Sequence, residues 1–427
     1  MSSIKSIAVI GLGYVGLPLT LLAASKKYKV FGIDIDPRKI KSLSEKKSYI
    51  DDVSDEQLAA TSAVFTDDIK KVSQADAVIV CVPTPVTEDK MPDLGPVKGA
   101  VSAIAPHLKP GTLVVIESTI NPGVCDEIVL PLLEEKTGMK VGKDIYLAHC
   151  PERINPGDPK WNVSNINRVI GANSQAELDI AVDLYENLID AKIKPMGSLK
   201  EAEAVKIVEN SFRDINIAFV NELAMSFHKL GINLENVIDG AATKPFSFMP
   251  HRPGAGVGGH CIPVDPYYLI EYAHGYGFEH DLLRGARTVN ESMPQFTVDI
   301  LSEGLNEHRL SLKGTAVTLL GLSYKPNVGD DRESPANVIK KILDEAEVDL
   351  TTYDPFILGN STVQTLDEAM AGAEAIVLVT GHDEFKDIDP AFLKKNKTKV
   401  FIDGRNLFRH KKDEFAKNGI TYIGIGI

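Results

Sequence analysis

The sequence predicts an α/β protein: two doubly wound, parallel-sheet domains joined by a central helical domain with one long helix. Three observations carry this. Apolar runs of strand length alternate with helical patterns over residues 1–199, a stretch free of Gly and Pro runs from Lys200 to Leu230, and the alternation resumes over 309–427. The runs are continuous rather than alternating in polarity, as expected of strands buried on both faces. Domains are expected at 1–199, 200–308 and 309–427, since 427 residues exceed one ordinary domain.

The elements follow in order. Ser6 to Ile10 reads as a strand, Leu17 to Ala24 as a helix, and Lys29 to Ile33 as a second strand ending at Asp34. Ala75 to Val82, Thr112 to Ile116 and Asp144 to Ala148 read as further strands. Within Lys200 to Leu230, Ala204, Ile207, Val208, Phe212, Ile215, Phe219 and Leu223 recur at helical spacing, a stripe suited to bridging domains and to a dimer face. A Pro- and Gly-rich loop fills Thr243 to Pro266, and helix returns from Asp281 to Glu307. The last strands are expected at Thr315 to Leu320, Val348 to Tyr353, Ala375 to Thr380 and Lys399 to Ile402. Asp354-Pro355 at a strand end echoes Asp34-Ile35-Asp36-Pro37.

Composition excludes several function classes. Hydrophobic residues make up 44% and charged residues 25%, ordinary for a globular enzyme. A formal net charge of −13 argues against a nucleic-acid partner, which needs a basic face. The four cysteines form no CxxC pair and no metal-like spacing with His, so no metal is expected. No apolar run approaches membrane-spanning length and the chain starts with a strand rather than a signal peptide, so a cytoplasmic protein without a membrane partner is expected.

Two motifs carry the chemistry. Gly11, Gly13 and Gly16 form GxGxxG between a strand and a helix, with Asp34 closing the next strand. The first glycine allows the tight turn, the second lets a pyrophosphate approach the backbone, and the third lets helix pack on sheet. Phosphates would sit at the positive helix end and Asp34 would accept from ribose hydroxyls, which favours NAD over NADP. Arg38 could pair with phosphate or with a surface acid. Thr84 in Val82-Pro83-Thr84-Pro85 and Thr119 in Glu117-Ser118-Thr119 follow strands, so they are candidate cofactor contacts or plain helix caps.

The second motif is Gly254-Ala255-Gly256-Val257-Gly258-Gly259-His260-Cys261-Ile262-Pro263-Val264-Asp265-Pro266. Glycines there would let a substrate approach the backbone, beside a thiol and a carboxylate. Cys81 reads as core, and Cys125 and Cys150 as structural; Cys261 belongs to no apolar period and reads as a nucleophile. His260, though adjacent, does not thereby form a dyad with it. On the long helix Lys206, Asn210 and Arg213 fall on one face, a polar stripe that needs a partner or ligand unless it is solvated. Pro151-Glu152-Arg153 and Gly321-Leu322-Ser323-Tyr324-Lys325-Pro326 follow strands in the two α/β regions, and Lys325 and Arg332 could hold phosphate.

Together these motifs resemble those of the UDP-glucose/GDP-mannose dehydrogenase family over nearly the whole chain. The resemblance rests on GLGYVGLP at 11–18, VPTP at 82–85, EST at 117–119, PER at 151–153, the Lys206–Asn210–Arg213 helix, GVGGHCIPVDPYYL at 256–269 and GLSYKPNVGDDRESP at 321–335. It implies two Rossmann-like domains, NAD as cofactor and a UDP-sugar substrate whose C6 hydroxyl becomes a carboxylate in two hydride transfers. Cys261 matches the nucleophile that forms a thiohemiacetal and then a thioester. Lys206 matches the oxyanion-stabilising lysine, Asn210 its hydrogen-bonding neighbour, Asp265 the acid beside the thiol, and Glu152 a general base acting directly or through Thr119.

Glu152, Arg153, Ile154, Lys206, Asn210, Arg213, Gly258, Tyr324 and Lys325 match substrate-binding positions. Gly11, Gly13, Tyr14, Val15, Gly16, Asp34, Arg38, Thr84, Thr119 and Arg332 match cofactor-binding ones. Thr243 to Pro250 and the HCIPVDP form are most similar to the branch acting on UDP-N-acetylglucosamine. UDP-N-acetylgalactosamine, UDP-N-acetylmannosamine and UDP-glucose are alternatives, as is a catalytically silent nucleotide-binding protein. One departure stands out. Some branches carry an arginine that reaches a neighbouring subunit's substrate, whereas this stretch reads Phe246-Ser247-Phe248-Met249 and its nearest arginine is Arg252. A homodimer is expected.

Overall fold

The computed structural model of the chain describes residues 4–50, 52–87, 91–154, 160–259 and 261–427. They form two compact units, Met1–Glu209 with Tyr267–Phe278, and Asn210–Pro266 with Glu279–Ile427. Residues 200–308 are therefore shared between the units.

The first unit is built on an eight-stranded sheet. Its strands are β1 (Ser6–Ile10), β2 (Lys29–Ile33), β3 (Val64–Thr66), β4 (Ala77–Val80), β5 (Leu113–Ile116), β6 (Tyr146–His149), β7 (Arg168–Ala172) and β8 (Ile193–Pro195). They lie in the order β3-β2-β1-β4-β5-β6-β7-β8, which reverses direction at β1/β4 and so opens a crevice at the strands' C-terminal ends. Alternate residues feed two cores: Ile7, Val9, Ile79 and Val115 on one face, Ala8, Ile10, Val78, Val80 and Val114 on the other. Each buried Val, Leu or Ile contributes roughly 1.5–3 kcal/mol, so the strand interiors are rigid supports for the loops above them.

The sequence reading needs two corrections here. The sheet is not wholly parallel: β7 runs antiparallel to β6, pairing Ala148 with Ala172 and His149 with Gly171. Among the described residues between them there is no crossover helix, which a parallel return would need. Strands β3, β7 and β8 also went unread, because Val64–Thr66 and Ile193–Pro195 are three residues long and β7 opens on a charged residue.

The second unit carries a five-stranded, all-parallel sheet of β9 (Ala316–Leu320), β10 (Asp349–Tyr353), β11 (Ala375–Leu378), β12 (Val400–Asp403) and β13 (Thr421–Gly424), in the order β10-β9-β11-β12-β13. With the long helix, Leu199–Leu230, this is the expected class of two Rossmann-like sheets and a helical centre. The echo between the sheets extends to single bonds. Gly11 N donates to Ile33 O at 2.8 Å and Gly321 N to Tyr353 O at 2.9 Å. Leu12 N donates to Asp34 Oδ2 at 2.8 Å and Leu322 N to Asp354 Oδ2 at 2.7 Å. Both glycines need positive φ, +90° and +84°.

On the long helix Glu203, Lys206, Asn210, Asp214 and Asn221 are buried, as is Ile207 of the apolar stripe, while Val208, Phe212 and Phe219 of that stripe are exposed. Among the described residues, no helix is long and apolar enough to cross a membrane.

Candidate active site

The glycine loop fits a dinucleotide. A Cβ at Gly11 would lie 2.8 Å from the Cys81 carbonyl oxygen and one at Gly16 1.9 Å from that of Gly11, whereas one at Gly13 meets nothing within 4 Å. The loop is thus packed shut on the inside and open at Gly13. The helix behind it, Gly16–Ser25, has Val15 at its N-cap with no side-chain cap among the described residues and no acid in its first turn. Its positive end is left for an anion. Asp34 is buried at 6% exposure. Its Oδ2 accepts from Leu12 N and from Lys39 Nζ at 2.9 Å, and its Oδ1 from Asp36 N at 2.9 Å. A carboxylate has about four acceptor positions, so Oδ1 keeps capacity for a ribose hydroxyl.

Of the open readings of Arg38, the structure shows the surface pair. Its guanidinium is bidentate on Asp36, at 3.0 and 2.8 Å, and holds that carboxyl down at about 2. Thr84 is buried, with its carbonyl accepting from Tyr268 OH. Thr119 is half-buried three residues past β5, and Tyr14 and Val15 are half-buried in the loop. Lys39 and Tyr268 escaped the sequence reading, because their partners lie far away or carry no pattern.

Glu152 lies in the turn after β6, facing inward. Its Oε1 accepts from Arg153 N and Ile154 N, each at 2.5 Å, and its Oε2 is 2.6 Å from Arg168 Nη1. The Arg153 side chain is clasped by Glu209 of the long helix and donates to Asn167 O at 2.9 Å. Ile154 is half-buried.

Burial pushes the thiols of Cys81, Cys125 and Cys150 up, so none of the three is a thiolate near neutrality. Cys261 is half-buried, as is Cys81, but it lies in an irregular loop rather than directly after a core strand. Its carbonyl accepts from Val264 N at 3.1 Å and Asp265 N at 2.8 Å, a turn that starts the Asp265–His274 helix. Asp265 is buried, and its Oδ2 accepts from Asn210 Nδ2 at 2.5 Å. Lys206 is 9% exposed, one turn before Asn210 on the same helix, while Arg213 is exposed. The helix face is therefore polar and buried at two of its three positions. His260 lies outside the described residues.

The glycines of the second motif serve a purpose the sequence did not show. A Cβ at Gly258 would lie 2.8 Å from the Glu333 carbonyl oxygen, and one at Gly259 2.7 Å from the Tyr324 ring. They admit Tyr324 and the Glu333–Pro335 backbone, so the thiol loop is seated on the loop after β9. Its start is fixed by Asn221, whose Oδ1 accepts from Gly254 N at 3.0 Å and whose Nδ2 donates to Asn290. Lys325 is half-buried, and Arg332 forms a bidentate pair with Asp330. Arg252 is held by Glu235 and Asp239.

The NAD binding domain of the UDP-glucose/GDP-mannose dehydrogenase family matches residues 5–189, the central domain of that family residues 200–292, and its UDP binding domain residues 318–410. The chain belongs to this family. It is an NAD-dependent nucleotide-sugar dehydrogenase with a UDP-sugar binding domain. UDP-N-acetyl-D-mannosamine dehydrogenase of Pyrococcus horikoshii is 37% identical over 97% of this chain and 98% of its own. A structure of that organism's enzyme superposes with a TM-score of 0.92 at 36% identity, covering 99% of each chain. UDP-N-acetyl-D-glucosamine 6-dehydrogenase of Pseudomonas aeruginosa is 36% identical over 91% of this chain and 93% of its own. In a nucleotide-sugar dehydrogenase the Gly11–Gly16 loop and Asp34 are the groups that would hold NAD, which supplies a hydride acceptor when bound.

Proposed function

We propose that this dehydrogenase oxidises the C6 hydroxyl of UDP-N-acetylglucosamine to the uronic acid, a four-electron reaction, with Cys261 as covalent nucleophile. The observation that supports this is the bond from Asn210 Nδ2, on the long helix, to the buried carboxylate of Asp265, which opens the helix after the Cys261 turn. In this reading Lys206 and Asn210 stabilise negative charge developing on the C6 oxygen. The Cys261 thiolate adds to the C6 aldehyde, giving a sulfur-bound tetrahedral carbon that retains one hydrogen to lose as hydride. Loss of that hydride to a second NAD leaves a thioester, a first NAD having taken the hydride whose loss turned the C6 alcohol into the aldehyde. Glu152, directly or through Thr119, takes a proton from the water that cleaves it, and Cys261 leaves as thiolate; Asp265 handles protons at the sulfur.

Arg153, Ile154, Arg213, Gly258, Tyr324 and Lys325 are proposed to bind the sugar nucleotide. Gly11, Gly13, Tyr14, Val15, Gly16, Asp34, Arg38, Thr84, Thr119 and Arg332 are proposed to bind NAD. The bidentate Arg38–Asp36 pair leaves Arg38 the weakest of these.

UDP-N-acetylmannosamine is the second reading, favoured by the relative from Pyrococcus horikoshii. C2 configuration is read by few polar groups, so the test is direct. NADH formation is measured across UDP-N-acetylglucosamine, its manno and galacto epimers, and UDP-glucose. Turnover confined to the manno epimer would replace the first reading by the second. We also infer a homodimer, supported by exposed Val208, Phe212 and Phe219 along one helix, and action in the cytoplasm, supported by four free thiols.

A further inference from the structure

An ionic cluster lies behind the turn after β6. Arg168 opens β7, and its side chain is fully buried. Its Nη1 stands 2.6 Å from Glu152 Oε2 and 3.6 Å from Glu117 Oε2. Glu117 follows β5, and its Oε1 accepts from Tyr185 OH of the Gln175–Leu188 helix. The two strand ends are also joined by Glu152 N donating to Glu117 O at 3.4 Å. Cys81 after β4, with Sγ 4.0 Å from Glu117 Oε2, and Cys150 after β6 complete the surroundings, together with buried His149, which burial pushes down to about 3 and so keeps neutral.

Two carboxylates share one guanidinium: the Arg168 and Glu117 side chains are fully buried, and that of Glu152 is 8% exposed. A buried carboxylate needs a paired cation or a proton. Distance decides the division, since attraction falls with separation and Glu152 is the nearer. Burial pushes Glu117 up to about 7, with Arg168 opposing and Glu152 adding to the rise. Burial also works against the charge of Arg168, but Glu152 and Glu117 outweigh it and raise its pKa. Glu117 is therefore the member that carries the proton on the acid side of neutrality, and Glu152 is the member nearest the guanidinium. Glu152 holds both the Arg153 and Ile154 amides on one oxygen.

We propose that Arg168 and Glu117 are positioning residues for Glu152: the shared guanidinium holds the Glu152 carboxylate turned onto the Arg153 and Ile154 amides, which fixes the turn at the C-terminal end of β6. The inference rests on the reading of Glu152 as a group of the reaction.

Arg168→Met, Arg168→Lys and Glu117→Gln test it, read by the pH profile of kcat/KM. Arg168→Met should move the acidic limb upward by roughly one pH unit or more, and Arg168→Lys should restore it. Glu117→Gln should leave the acidic limb in place, because Glu117 already carries a proton there and the guanidinium is undivided. Equal losses in Arg168→Met and Arg168→Lys with unshifted limbs would mean a packing role and overturn the proposal; so would an acidic limb displaced in Glu117→Gln, which decides alone if Arg168→Met fails to fold.

Infrared difference spectra give a readout independent of turnover. A protonated-carboxyl band present at pH 6 should vanish in Glu117→Gln, and its persistence would refute the division of charge. Glu152→Gln with undiminished turnover would discard the role of Glu152 in the reaction, while the infrared result would still judge the division of charge.

Discussion

At Gly13 an added methyl group meets only open space, whereas at Gly16 it would strike a backbone carbonyl. Gly13→Ala should therefore melt like the parent protein yet bind NAD more weakly. Gly16→Ala should lose roughly 3 kcal/mol of stability or more. Thermal melts and NAD titration separate the two, and equal melting losses would contradict the packing argument. Cys261→Ser should cut turnover on the order of 10³-fold or more while leaving NAD binding and melting intact. Glu117 gives a pH dependence of stability. Its folded pKa, about 7, lies above the ordinary carboxylate value, so its contribution is full below about pH 4.5 and is lost as pH rises through 7. Glu117→Gln should accordingly raise the melting temperature more at pH 8 than at pH 5. The place of Asp34 at a strand end was legible because a strand, a turn and an acid recur at known spacing, and Cys261 stands out as a candidate because no apolar period claims it. Glu117 and Arg168 were not legible, since a buried charge announces itself only once its distant partner is seen.

The long helix was expected from apolar residues at helical spacing, as an element that could bridge domains and offer a dimer face. The helix is there; Val208, Phe212 and Phe219 are exposed, while Ile207 of the same stripe is buried along with acids and amides. Periodicity gives the element; which face is covered depends on partners that periodicity does not contain. The buried side of the second-unit portion is tied by Asp214, which accepts from Arg287 Nη1 at 2.6 Å and from Asn290 Nδ2 at 2.8 Å. Asp214→Ala would take the buried carboxylate from the Arg287 guanidinium, which also pairs with Glu291 at 3.3 Å, and should cost about 3 kcal/mol, measurable by urea unfolding. Because Asn290 also holds Asn221, and Asn221 holds Gly254, the same change should lower turnover beyond the loss of folded protein. Strands such as β1, β4 and β9 were legible as apolar runs buried on both faces. The short β3 and β8 leave too few residues for any pattern.

For the whole molecule, the exposed stripe predicts assembly. Phe212→Glu with Phe219→Glu should convert a dimer to a monomer in light scattering without unfolding it, since both side chains are about half exposed in the chain alone, at 47% and 54%. The reaction should yield two NADH per sugar oxidised, and one per sugar would exclude the four-electron reading. The two sheets repeat one turn but not its use. In the second, Asp354 accepts from Ser323 N at 2.8 Å and is capped by buried His382 at 2.9 Å, and the next helix starts only at Pro335, far from the turn. Equilibrium dialysis should thus saturate at one dinucleotide per chain. An enzyme with one berth for an electron carrier that removes four electrons must discharge the first carrier and admit a second in mid-course, while its half-finished sugar waits. A tether of sulfur would serve as the mooring during that exchange.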